Sequence, residues 1–414
     1  MVRTVDYLAD ATSGGVVETF RKIGPALVLA AVVVGPGSIA LATIAGSLYG
    51  YQLLWVPVVA TIFMISFTWM AAKIGLVTGE TIFGATRMKY GDTVAKIGGI
   101  FGFLTILAFQ AGNNAGIGFA SNALFGFDVR VWAGLFTLAA IGFVLLPDLY
   151  EKVELLIKIV VGILIVAFFG TLALVGIDLG AAGRGLVPTF PDIDAAFLAL
   201  GMAATNFSIA AAVYQTHIMR EKEWGTEHIA DEALDTLLGI AVLGLIVMAI
   251  LLTSAAVIFG QADPVFSAEG MAAQLEPLAG SGAFYLFTIG FFFASLSSLV
   301  VNALIGATLL VDGFGRDSSM DGRPVKLWTV AAMLVGLSVV LVFQGSPIEL
   351  LRAAQALAVV AFPVLGFLVV AIARDSDMLG EYANGRAMDV LGVLGYLTII
   401  GIVVYYLREV ILFL

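Results

Sequence analysis

Along almost the whole chain, long apolar runs alternate with short polar connections. Each run is about twenty residues or longer, enough for a helix to cross the hydrocarbon of a bilayer. Barrel strands would alternate in polarity over roughly ten residues, and these runs do not. The pattern predicts an all-α integral membrane protein with eleven spans, near 23–49, 53–77, 97–126, 131–147, 155–177, 195–219, 237–260, 282–311, 327–345, 350–373 and 389–410. The connections are short, so one membrane domain is expected over 23–414, behind a segment 1–22 and with no appended soluble domain.

Composition agrees with the pattern. Hydrophobic residues make up 61% of the 414 and charged residues 12%, against about 25% charged in soluble domains. A soluble enzyme is excluded. The first 22 residues carry Asp6, Asp10 and Glu18 and no apolar core, so no cleavable signal peptide is expected. The absence of cysteine excludes disulfides and thiolate metal sites. The net charge of −10 collects in loops such as the one from Glu221 to Asp235, where it keeps the connections solvated.

Lys and Arg set an orientation. With the N-terminus in the cytoplasm, 16 of the 20 fall on that side, among them Arg21, Lys22, Lys73, Arg87, Lys89, Arg220, Lys222, Arg323 and Lys326. Arg130, Arg184, Arg352 and Arg408 fall outside, and an odd number of spans puts the C-terminus outside as well. We expect a multi-pass protein of a prokaryotic plasma membrane.

Two spans carry signs of interruption. The first holds Val34-Gly35-Pro36-Gly37-Ser38 at its middle, where proline removes a backbone hydrogen bond and the glycines favour unwinding. Carbonyls freed at that depth must line a cavity or be buried in protein. Gly35, Pro36 and Gly37 are therefore expected to be non-helical; a packing kink and a solute site both fit the motif. The sixth span reads Gly201-Met202-Ala203-Ala204-Thr205-Asn206-Phe207-Ser208, with Asn206 the side chain hardest to hide in an apolar helix. Ser and Thr commonly bond back to their own helix. Gln110, Asn113 and Asn114 in the third span, and Ser295, Ser297, Ser298 and Asn302 in the eighth, add polar groups that serve equally as interhelical glue or as a route through the bundle. Small residues at Gly98, Gly102, Gly112 and Gly116 would let helices approach the third span closely.

Absences narrow the chemistry. No Asp, Glu, Lys or Arg lies at the centre of any predicted span, and such charges usually mark ion sites and proton relays. His217 falls at the cytoplasmic end of span six and His228 in a loop, so both are taken as interfacial or surface histidines. There is no phosphate-binding loop, hydrolase elbow or metalloprotease helix. Neither catalysis nor ATP-driven transport is indicated, and no cofactor or nucleic-acid partner is expected.

The segments Lys22-Ile23-Gly24-Pro25-Ala26, Gly35-Pro36-Gly37-Ser38, the run from Gly50 to Val56, the run from Ala71 to Gly79, and Asn122-Ala123-Leu124-Phe125-Gly126 resemble those of the Nramp (natural resistance-associated macrophage protein) metal transporters. The resemblance implies a LeuT-like fold of two inverted five-helix repeats, about 23–178 and 195–374, plus an extra helix. It also implies a second helix break at Ala203–Thr205, facing the first. It places Val32, Gly35, Ser38, Ala203, Thr205 and Asn206 at the substrate, with a weak metal shell from Gly35, Ser38 and Asn206. Gln110 and Asn113 fall on the family's proton route. Eighth-span hydroxyls hold a second ion in LeuT-like carriers, which points to Ser297 and Ser298.

The departures fall on the working parts. Asp and Asn of the family's Asp-Pro-Gly-Asn motif become Gly35 and Ser38. Met, Pro and His of Met-Pro-His-Asn become Ala203, Ala204 and Thr205, and a downstream His becomes Ala210. A soft sulfur ligand for transition metals is lost with the Met. Mg²⁺ surrenders water reluctantly and pairs with carboxylates, so a hydrated or monovalent cation also fits. The family implies inorganic cation transport by alternating access; the amides Gln110 and Asn113 and the alanine Ala210, in place of the family's titratable groups, imply transport without proton coupling. A non-metal solute or anion carrier on the same fold is the alternative. A transport-dead sensor is a third reading, for which the chain lacks long signalling segments.

Overall fold

A computed structural model describes residues 34–146, 149–261, 266–343, 345–358 and 362–413. Among them the ordered structure is helical. The principal helices are α1 (Pro36–Tyr49), α2 (Trp55–Thr78), α3 (Ile82–Tyr90), α4 (Asp92–Phe125), α5 (Val129–Val144), α6 (Leu149–Val175), α7 (Ile193–Asn206), α8 (Ile209–Glu221), α9 (Ile229–Val257), α10 (Ala283–Gly313), α11 (Arg323–Val342), α12 (Pro347–Ala358), α13 (Phe362–Ala373) and α14 (Arg386–Phe413). Six helical stretches are long and apolar enough to cross a membrane, with α7 and α8 counted as one; three shorter apolar helices accompany them. The first half of the first expected span, with Val32 and the segment 1–22, lies outside the described residues, as do 359–361 between α12 and α13.

At both expected interruptions the described residues leave helical geometry, at positions shifted from expectation. At the first, the described non-helical residues are Val34 and Gly35. Pro36 and Gly37 are already helical, because proline at a helix's first turn loses no bond and its fixed φ suits the helix. Gly35 is the N-cap, at φ −88° and ψ −176°. In span six the helix runs through Ala203–Thr205 and ends at Asn206. Phe207 turns out of helical geometry (φ −112°, ψ 75°), and Ser208 caps α8 by accepting from the Ala211 N–H. Without the family's proline, alanines carry the helix on until an Asn-Phe-Ser sequence offers a cap.

Close helix crossings hold the breaks in place. α4 and α10 meet Gly99 to Gly313, where a Cβ built on Gly99 would lie 2.8 Å from the Gly313 Cα. Further along, Gly116 of α4 lies against Pro36; a Cβ there would meet the proline Cβ at 2.8 Å. α1 is bolted to α9 by the Ser254 hydroxyl, which donates to the Thr43 carbonyl at 2.6 Å. Gln274 Nε2 donates to the Thr43 hydroxyl at 2.9 Å. At the second break, Phe207 packs edge-on against Phe67 at 4.9 Å and also touches Phe63 and Phe362.

Candidate functional site

The two breaks and three further helices, α4, α10 and α12, line a cavity of about 20 Å³, enough for one water-sized particle. Its walls are the backbone at Gly35 and Gly37, the hydroxyl residues Ser38, Thr205 and Ser208, the amide residues Asn113, Asn302 and Gln355, and the ring of Phe109. Every polar side chain there is neutral. Gly37 is needed for closeness: a Cβ on it would run into the Gln355 amide.

The amides divide by partner. Gln110 Nε2 donates to the Leu299 carbonyl of α10 at 2.9 Å, and its Oε1 accepts from Asn113 Nδ2 at 3.1 Å. Asn114 Nδ2 donates to the Gln110 carbonyl at 2.9 Å, and its Oδ1 accepts from Thr137. Gln110 thus stitches α4 to α10, while Asn113 reaches the cavity. Asn302 Oδ1 and Gln355 Oε1 are buried with no hydrogen-bond donor. Asn206, at the last turn of α7, is 4% exposed, and neither its Nδ2 nor its Oδ1 is paired. A buried amide without a partner costs about 1–3 kcal/mol; Asn302 and Gln355 bring two such groups to the void, whereas Asn206, expected at the substrate, is not among its walls.

Among the positions expected at the substrate, Gly35, Ser38 and Thr205 line the cavity, and Thr205 also donates to the Met202 carbonyl at 3.0 Å. Ala203 does not. It faces an apolar groove of about 340 Å³ between α2, α7, α13 and α14, with Trp55, Phe63, Phe207 and Gly401. The last turn of α7 is still helical there, which rotates residue 203 off the cavity side. Gln110 is not on the cavity wall but beneath it. Ser297 donates to the Ala294 carbonyl of its own helix at 3.1 Å. Ser298 instead lies against the first break: its Oγ is 2.8 Å from where a Cβ on Gly35 would be.

Gln355, Asn302 and Ser208 were absent from the expected site. Gln355 carries the signal that singles out Asn206, an amide among alanines and leucines in an apolar helix, but it falls in a span with no counterpart motif.

The charged residues hold the larger correction. His217, expected at an interface, is 3% exposed, and its Nε2 lies 3.2 Å from Asp312 Oδ2 of α10. Gln215 Nε2 donates to Glu232 Oε1 of α9 at 2.6 Å, as does the Thr236 hydroxyl at 2.9 Å. Glu232 and Asp235 are buried too. They precede the seventh expected span and Asp312 just follows the eighth, so an apolar-run reading leaves them in loops, whereas the helices extend past the runs. Among the described residues no group of three or more His, Asp or Glu could hold a metal.

Comparison with known proteins agrees with this architecture. The sequence profile described as "Natural resistance-associated macrophage protein-like" matches residues 26–409. The "Divalent metal cation transporter MntH" of Yersinia pestis (strain Pestoides F) is 26% identical, with 95% of this chain and 98% of that protein covered. The protein of the same name from Verminephrobacter eiseniae is 25% identical over 90% of this chain and 85% of its own length. The Eremococcus coleocola manganese transporter superposes with a TM-score of 0.78 at 18% identity, covering 95% of this chain and 86% of that one. Mhp1, a nucleobase-cation-symport-1 family transporter, follows at 0.58 and 15%, covering 94% and 93%.

Proposed function

The chain belongs to the natural resistance-associated macrophage protein-like (Nramp) family, and we propose that it carries a small inorganic cation across the plasma membrane by alternating access around the two helix breaks. One observation supports this most directly. The cavity presents unpaired acceptor oxygens on Asn302 and Gln355, and acceptors attract cations. A void of about 20 Å³ also weighs against an amino acid or nucleobase as cargo. Gly35, Ser38, Thr205, Asn113, Asn302 and Gln355 would replace part of the ion's water, with Asn206 beside them. Neutral oxygens compensate dehydration less well than carboxylates, so a weakly hydrated monovalent ion or a divalent ion keeping some water suits this shell better than bare Mn²⁺.

We further propose that no proton is exchanged with the solute at fixed stoichiometry, because no cavity-lining residue titrates near neutral pH. The Lys and Arg distribution supports a cytoplasmic N-terminus, and a reporter fused after Leu414 should then sit outside; a cytoplasmic signal would overturn that orientation. Uptake by the purified protein in liposomes, across Mn²⁺, Mg²⁺, Na⁺, bicarbonate and small amino acids, tests the main reading. An inorganic cation should move, and Gln355→Ala should slow it. Uptake of bicarbonate or an amino acid with no cation moving would overturn it.

A further inference from the structure

The half-helix α8 is the element that a rearrangement at Phe207 would swing, and its basic end is tied down by buried polar contacts. On one side Gln215 donates to Glu232 of α9, beside Asp235. On the other, His217 faces Asp312 of α10 at 3.2 Å, with both side chains almost fully buried. The Thr81 hydroxyl lies close enough to act on Asp312, and Thr81 is the N-cap of α3. The Ile82 N–H donates to Thr216, next to His217, at 3.1 Å. Three helices therefore converge on one imidazole–carboxylate contact. Neither imidazole nitrogen, nor Asp312 Oδ2, makes an aligned hydrogen bond there. The two groups lie within ion-pair distance of each other.

A carboxylate buried without a cation is costly, so the surroundings of Asp312 decide the matter. Arg220 and Glu221 follow His217 on α8, close enough to interact with Asp312 and His217 respectively. From α3, Arg87 spends its Nη2 on the Asp312 and Gly313 carbonyls, not on the carboxylate. From α2, Lys73 is turned to Asn384 and the Tyr382 carbonyl. The charged residues of α4, Asp92 and Lys96, pair with Arg87 and with each other. The α13 segment Phe362–Ala373 carries no charge. Among the described residues, the one group in direct contact that can supply a full positive charge is His217, and only when protonated. Imidazole is also the side chain that changes charge between about pH 5 and 8.

We propose that His217 and Asp312 form a proton-binding site that locks the basic end of α8 to α10 and α3. With the proton bound, imidazolium and carboxylate neutralise each other and α8 stays docked. With the proton lost, Asp312 is left with a hydroxyl and a more distant guanidinium, and α8 is released. The pair titrates as a unit. In the orientation proposed above this is the cytoplasmic gate, so acid closes it and base frees it. The site lies outside the polar cavity, and the inference does not depend on which ion is carried.

The chain has two histidines and no cysteine, which makes the test clean. In ring-labelled His228→Gln protein in lipid nanodiscs, a single imidazole remains for NMR. Its resonances should report protonation as pH is varied, and Asp312→Asn should weaken proton binding about tenfold, about one unit in the midpoint. Thr81→Val, which removes the hydroxyl beside Asp312, should raise the midpoint, and serves if Asp312→Asn does not fold. Spin labels at Glu223→Cys and Thr93→Cys should move apart above the midpoint in the otherwise native protein and not in Asp312→Asn. An imidazole that stays neutral throughout, or a midpoint indifferent to both Asp312→Asn and Thr81→Val, overturns the proposal. So does a label distance that does not follow pH.

Discussion

Ser298 presses on the first break where a side chain on Gly35 would go, and putting a carboxylate there tests that packing. Gly35→Asp restores the Asp, though not the Asn, of the family's first-span motif, at a position whose φ of −88° accepts any side chain. It also supplies a cap for α1, which now has none from a side chain. Replacing glycine at an N-cap by Asp is worth only a few tenths of a kcal/mol. Against that, the new Cβ would sit 2.8 Å from Ser298 Oγ and 3.3 Å from its Cβ. Relieving such overlap in a packed interior costs about 1–3 kcal/mol. The clash outweighs the cap, so Gly35→Asp alone should lower stability by about 1–2 kcal/mol. Adding Ser298→Ala removes the nearer atom and leaves a contact that a shift of a few tenths of an ångström relieves. The double variant should regain about 1 kcal/mol or more, a coupling in the range expected for residues in contact. Thermal unfolding of detergent-purified protein reads the stabilities. Calorimetry should show weak Mn²⁺ binding by the unaltered protein and roughly tenfold tighter binding by the double variant than by Gly35→Asp, a difference of about 1.4 kcal/mol. If Gly35→Asp is as stable as the parent, or Ser298→Ala recovers nothing, the packing argument is wrong.

Three further outcomes follow from the same geometry. Gly46→Ala drives a methyl into the Leu251 carbonyl oxygen, a backbone atom of α9 that cannot step aside; we expect a loss of about 3 kcal/mol or complete loss of folded protein, read by size-exclusion chromatography. Gln110→Leu leaves the Leu299 carbonyl and Asn113 Nδ2 without their partner, and should cost about 1–3 kcal/mol in thermal unfolding while leaving the cavity wall in place. Liposomes holding a pH-sensitive dye should show no solute-driven acidification at zero membrane voltage; acidification that Asn113→Ala abolishes would show a proton route through α4.

Composition and periodicity alone settled that the chain is a multi-pass helical membrane protein, because twenty apolar residues in a row have few alternatives to a spanning helix. The first break was legible for a similarly local reason: Gly-Pro-Gly penalises a continuous helix whatever surrounds it, although only the fold put Pro36 inside the next helix rather than in the gap. Where local chemistry is permissive, tertiary structure decided. Nothing in Ala203-Ala204-Thr205 ends a helix, so the second break moved on to Phe207 and Ser208, turning residue 203 toward the apolar groove. Ser297 and Ser298 are equivalent in sequence, yet one bonds within its own helix and the other presses on Gly35, because adjacent helical residues point about 100° apart. Gln355 and Asn302 joined the site from helices with no break to advertise them. Glu232 and Asp312 looked like loop residues, and His217 like an interfacial one, because apolar runs stop before their helices do. Their burial depends on how α8, α9 and α10 pack, and no single run of sequence encodes that contact.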